Sequence, residues 1–226
     1  MDVEIRKYDP SGSDRTQIQQ VCCDCAFLGE PIDEVFQDRL WFANTMVTPY
    51  LILEPQHTWV AVADGRVIGY LTGSLTAAFS YLRAYMVTTG VLIELIPNYM
   101  VGKYESHPRS KRFAETVMRN ALGEIPRHPD KAAHFHFNVA EAYRHRGLGT
   151  RLLCEFEQAV RATGSLSQYY AEVMSSPTIR PVAHFERLGY KIYDSVKTTI
   201  FEPEITDLNV LCVVRPLAGG SVAAER

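Results

Sequence analysis

The chain lacks the features that would place it in several large protein classes. Five cysteines among 226 residues offer no second ligand cluster beside the crowded Cys22–Cys25 stretch, so neither a disulfide framework nor a metal site is expected. Cys22, Cys23 and Cys25 crowd one expected helix and read as buried structural thiols. A net charge of only -3 offers no broad basic surface, and no nucleic-acid partner is expected. The three-glycine dinucleotide fingerprint and the Lys-Ser/Thr ending of a phosphate loop are both missing. No internal repeat is present. The longest apolar stretch, Ala84 to Val101, is interrupted by Glu94, Pro97 and Asn98. It is expected to fall short of a membrane span and to form a buried insertion or a partner-facing surface, with a homodimer one option. The odd cysteine count and the lack of a signal-like leader point to a reducing, cytoplasmic setting.

What is present is ordinary globular composition, 46% apolar and 22% charged, enough for one domain across residues 1–226. Val3 to Tyr8 alternates as a first strand. Ser13 is placed to cap a helix running to about Leu28, and Pro31 to open a second helix with Ile32, Val35, Phe36 and Leu40 on one side. Thr58–Ala63 and Arg66–Gly73 flank Asp64-Gly65, a hairpin signal. Residues 74–130 read as a helical insertion with a basic patch at Arg109, Lys111 and Arg112. Strand pattern returns over Lys131–Ala140, with His134 and His136 on one face and Phe135 and Phe137 on the other. A helix carrying Leu148, Leu152 and Phe156 on one face follows and stops near Gly164. A strand over Gln168–Met174 comes next, then a helix between Pro177 and Gly189 with Thr178 as its expected cap. Strands near Lys191–Phe201 and Asn209–Val214 end the order, and 219–226 is expected to be a mobile tail.

The segment with the most chemistry is Arg144-His-Arg-Gly-Leu-Gly-Thr150, between a strand and a helix. Two glycines in such a turn let backbone N–H groups face an anion. The helix N-terminus adds a partial positive charge and unpaired donors. Arg144 and Arg146 would add mobile charge at the rim.

The run Val139-Ala-Glu-Ala-Tyr-Arg-His-Arg-Gly-Leu-Gly-Thr-Arg-Leu-Leu153, followed by His184-Phe-Glu-Arg-Leu-Gly-Tyr190, resembles the GNAT superfamily of acetyl-CoA-dependent N-acetyltransferases. The element order matches over most of the chain. The resemblance implies an α/β (α+β) fold: a mixed, mostly antiparallel central sheet flanked by helices, with the insertion ahead of the cofactor strand. His134-Phe-His-Phe-Asn138 also looks like a stretch of the acetyltransferase-like domain attached to O-GlcNAcases and its free-standing bacterial relatives. Those tend to carry His-x-His-x-Asp, and Asn138 departs from that pattern.

The resemblance further implies acetyl-CoA as the cofactor. Arg144, Arg146, Gly147, Leu148, Gly149 and Thr150 would hold its diphosphate. Asn138, Val139 and Ala140 would offer backbone groups to its arm and thioester, and Thr178 would hydrogen-bond the arm. An attacking amine must be neutral, so a general base is useful. His136, then His134, are the candidates because imidazole titrates near neutrality, and Glu172 is a third. The tyrosine acid that many family members carry is replaced by Phe185. Tyr81, Tyr85, Tyr99 and Tyr104 are candidates to line an acceptor pocket. The expected activity is direct transfer of an acetyl group to a primary amine in a ternary complex, with a small-molecule acceptor favoured. The alternative is a non-catalytic acyl-CoA-binding or interaction module.

Overall fold

The computed structural model describes residues 2–76, 78–120 and 123–217; the tail expected from Gly219 lies outside them. Seven strands form one sheet in the order β1-β2-β3-β4-β5-β7-β6. They are β1 (Glu4–Lys7), β2 (Thr58–Ala63), β3 (Arg66–Ser74), β4 (Ala133–Val139), β5 (Gln168–Ser175), β6 (Lys191–Thr198) and β7 (Leu208–Pro216). Every neighbouring pair is antiparallel except β4–β5. The hairpin turn is as read: Asp64 and Gly65 both take positive φ, as a tight two-residue turn requires.

Strand alternation sorts the side chains into two layers. Trp59, Leu71, Phe135 and Tyr169 face one side, against α7 (Leu148–Ala162), which inserts Leu148, Leu152, Phe156 and Val160. Gly73 lets Phe156 approach: a Cβ there would stand 2.4 Å from a ring carbon. Val60 and Tyr70 face the other side, where α1 (Asp14–Asp24), α2 (Arg39–Met46) and α6 (Pro108–Asn120) bury Ile18, Cys22, Trp41 and Phe113. Also near this layer are α3 (Thr48–Leu53) and α4 (Phe79–Gly90). Cys22, Cys23 and Cys25 are buried free thiols.

Three helix readings are corrected. Pro31 does not open a long helix: Ile32–Glu34 is a single 3-10 turn, and Leu40 is exposed. The helix starts at Arg39 because Asp38 caps it by accepting from the Trp41 N–H. At the N-terminus of α1, Ser13 makes no side-chain cap; the buried Asp14 turns back to pair with Arg6. Thr178 is not a cap either, because α8 (Val182–Arg187) begins after Pro181. The proline's fixed φ suits the helix entrance but no deeper position.

The insertion is helical as expected, but its apolar part is not buried. From Phe79 to Met100 the chain is one continuous helix, α4 joined to α5 (Ile96–Met100) by a π-helical segment, Val91–Leu95, just ahead of Pro97. By length and composition it is long and apolar enough to cross a membrane. Tyr81, Tyr85, Leu92, Ile93 and Met100 are exposed, while Trp41 donates to the Gly90 carbonyl and ties the helix to the domain. The basic patch is neutralised: Arg109 and Arg112 pair with Glu204, and Lys111 with Glu105.

Candidate active site

The site begins where the sheet forks. β4 and β5 are in register only at Ala133–Tyr169 and His134–Tyr170, yet both strands run on, to Val139 and Ser175. Beyond the second pair their backbones diverge. On its other side β4 stays paired with β3, and the Ala140 N–H donates to the Ile68 carbonyl. By alternation the N–H groups of Phe137 and Val139 therefore face the fork. Of the three residues expected to offer backbone donors, Val139 is the one whose N–H is free to do so. Ala140 has given its own to β3. Asn138 uses its side-chain amide to donate to the Tyr70 hydroxyl at 3.0 Å.

The glycine turn continues from the fork into α7. Gly147, at φ 74, is the N-cap and carries no side-chain cap. A Cβ on it would meet nothing, so the left-handed backbone is its requirement, while a Cβ on Gly149 would press on the Phe137 ring at 3.2 Å. The early N–H groups, at Leu148, Gly149 and Thr150, lie in the helix turn that has no carbonyls before it. Arg146 is exposed, with its guanidinium over the Tyr143 ring at 5.6 Å. Arg144 is not a mobile rim charge. Its Nε donates to the Val139 carbonyl at 3.0 Å, and its Nη2 donates to the Gly29 carbonyl at 2.7 Å. It braces the end of β4 against the loop after α1.

The two histidines occupy the α1 face of β4, each tethered through Nδ1 to a buried tyrosine. His134 meets the Tyr50 hydroxyl at 3.0 Å and stacks on Tyr170. His136 meets the Tyr70 hydroxyl at 3.2 Å. Burial, aided by the nearby Arg83 charge, lowers His134 to about 3 and His136 to about 4. Both rings are therefore neutral at pH 7, which replaces the expectation that they titrate near neutrality.

The Tyr70 hydroxyl also accepts from the Asn138 side-chain amide. Which partner donates in each histidine–tyrosine contact follows the tautomer of the ring.

Glu172, from β5, is engaged by Arg83 of α4 at 2.8 Å. Burial alone would raise its carboxyl, but Arg83 and His134 hold it at about 2. It is a counter-ion for the insertion helix and a poor proton acceptor. Arg83, Tyr50 and Tyr70 were missed by sequence reasoning. They arrive from α4, α3 and β3 with no local motif. Among the tyrosines proposed for an acceptor pocket, Tyr81 and Tyr85 point to solvent. Tyr99 bonds Glu115, and Tyr104 is packed near Phe36 and bonded to Asp38. Phe185 is buried with the α7 layer, and Thr178 touches Ser176 at 3.4 Å.

Comparison with known proteins adds a family and a fold. The family model described as the acetyltransferase (GNAT) family matches residues 16–190. No curated protein matches the chain. Among solved structures, the protein named SsHAT is similar at 20% identity and TM-score 0.57, with 96% of this chain and 100% of that one covered. An acetyltransferase of the GNAT family from Desulfovibrio desulfuricans, described there as putative, is similar at 17% identity and TM-score 0.54, with 96% and 100% covered. The ribosomal-protein-S18-alanine N-acetyltransferase from Escherichia coli is similar at 11% identity and TM-score 0.52, with all of both chains covered.

Proposed function

The chain belongs to the GNAT acetyltransferase family, and from that premise we propose that it is an acetyl-CoA-dependent N-acetyltransferase that acts on a small-molecule amine by direct transfer in a ternary complex. The observation that carries this reading is the uncapped, glycine-opened N-terminus of α7 beside the fork of β4 and β5, with His136 on the same strand. The proposed setting is the cytoplasm, with no nucleic-acid or membrane partner.

The residues present fit the cofactor. The N–H groups of Gly147, Leu148, Gly149 and Thr150 would hold a diphosphate, with Arg146 free to swing toward it. The Val139 N–H would face a carbonyl oxygen placed in the fork, where one such donor is worth about 3 kcal/mol in acyl transfer. Acetyl-CoA supplies the activated acetyl group. On the acceptor side, the tautomer of His136 whose Nδ1 donates to Tyr70 would present an Nε2 lone pair and take up the proton that the nitrogen sheds as it is acylated. At about 4, His136 is too weak a base to strip an alkylammonium, so the acceptor must arrive as the free amine.

Two measurements test the reading. Calorimetric titration with acetyl-CoA is expected to show saturable binding that Gly147→Glu abolishes while the variant stays folded; unchanged affinity in the folded variant refutes the diphosphate site. With an acetylated amine in hand, kcat/KM is expected to rise with pH up to the acceptor's own pKa, with no inflection near 6.5. An inflection there would show a base that is not the His136 described here.

A further inference from the structure

Two arginines meet at the open end of the fork, with no acid among the described residues to answer them. Arg144 is fixed to the end of β4 by its bond to the Val139 carbonyl. Arg180 follows the end of β5, where the Ser175 hydroxyl donates to its carbonyl at 2.8 Å. Its backbone takes φ 53, a left-handed conformation unusual for a residue with a side chain. Both guanidiniums converge on Gly29. Nη1 of Arg144 and Nη2 of Arg180 lie 3.1 and 3.4 Å from where a Cβ on that glycine would stand. Gly29 itself takes φ 115 and leaves the space open.

Neither guanidinium has a carboxylate within 4.0 Å among the described residues. Their bonds go to neutral groups: the Val139 and Gly29 carbonyls and the Cys25 sulfur for Arg144, and the Leu28 carbonyl for Arg180. A guanidinium has five N–H donors. Among the described residues Nη1 of Arg144 has no partner, and Arg180 makes one bond with its five donors. The two like charges, converging on Gly29, disfavour each other, and an anion between them would relieve this.

The pair lies on the α1 side, opposite the layer of α7. Cys25, which Arg144 touches, is buried in the same cluster as Cys22 and Tyr70, the partner of His136.

Resting on the acetyltransferase reading, we propose that Arg144 and Arg180 form an anion subsite for the acceptor and take the carboxylate of an amino-acid-like amine. The forked carboxylate matches the planar guanidinium donors, and the pair shares the α1 side of the sheet with His136.

The test uses matched acceptors, glycine through 6-aminohexanoate against their carboxamides, with rates expressed per unprotonated amine. Wild type is expected to favour at least one carboxylate over its amide by about tenfold or more in kcat/KM, carried by KM. Arg180→Gln is expected to erase that preference without changing affinity for acetyl-CoA. Equal rates within every pair, a preference for amides, or acetyl-CoA binding with no turnover of either series overturns the subsite. Weaker acetyl-CoA binding in folded Arg180→Gln also overturns it, by assigning the pair to a cofactor phosphate. Failure of wild type to bind acetyl-CoA is a separate result that sinks the acetyltransferase reading itself. The wild-type comparison needs no variant, so misfolding of Arg180→Gln leaves the test intact.

Discussion

Acidification should unfold this protein through two particular imidazoles. His134 and His136 are neutral in the fold, held at about 3 and about 4, whereas in the unfolded chain each titrates near 6.5. For a histidine whose folded pKa is depressed, the unfolded state binds the proton first. Stability is therefore full above about pH 6.5 and falls as the pH drops toward the folded values. Between pH 7 and pH 5 each ring should cost about 2 kcal/mol, and the pair about 3–4 kcal/mol. The fall has the same sign for Glu172, whose carboxyl is held low, but over this range its share is only about 0.2 kcal/mol. Urea titrations at pH 7 and pH 5, followed by circular dichroism, measure the difference. His136→Gln and His134→Gln should each remove about half of the pH dependence, while His57, also lowered by burial, contributes equally to all three proteins. Equal stability of wild type at the two pH values would refute the reasoning, as would a double variant that keeps the full dependence.

Two further outcomes follow from packing and charge. Arg83→Met leaves the Glu172 carboxylate without its partner, and should destabilise the fold by about 2–3 kcal/mol in urea titration. Adding Glu172→Met should recover part of that loss, and an additive double variant would show that the pair is not coupled. Gly73→Ala forces a methyl group into the Phe156 ring and should cost about 2 kcal/mol, seen as a lower thermal midpoint; an unchanged midpoint would mean that the α7 layer is loosely packed.

The parts of the fold legible in the sequence are those that local chemistry determines. Strand alternation through His134-Phe-His-Phe-Asn138 separates the two faces of β4, and Asp64-Gly65 and Gly147 announce positive φ where it occurs. The Pro31 helix misled because Ile32, Val35 and Phe36 have helical spacing, yet the Asp38 cap starts the helix eight residues later. For residues 84–101 a buried insertion and a partner-facing surface both stood open, because composition cannot tell which side of a helix meets the domain; the exposed side chains remove only the first. At the site, the histidines were visible and their electrostatics were not. The tyrosines that bond them lie 84 and 66 residues away in sequence, and Arg83 reaches Glu172 across 89. Arg144 was seen as a charge, but its destination depended on carbonyls at Gly29 and Val139 that no motif records.

A sheet that forks leaves part of its own backbone without a neighbour. Past His134 and Tyr170, the inner edges of β4 and β5 are two half-ladders, like the edges of separate sheets held at an angle by the layers packed above and below. A slender polar molecule laid in that angle acts as the missing strand, supplying acceptors to N–H groups that no peptide reaches. Filling the cleft and finishing the sheet would then be one event. A ligand there would stiffen the joint between the β1–β4 half and the β5–β7 half, so amide hydrogen exchange at Phe137 and Val139 should slow together with exchange across the far strands.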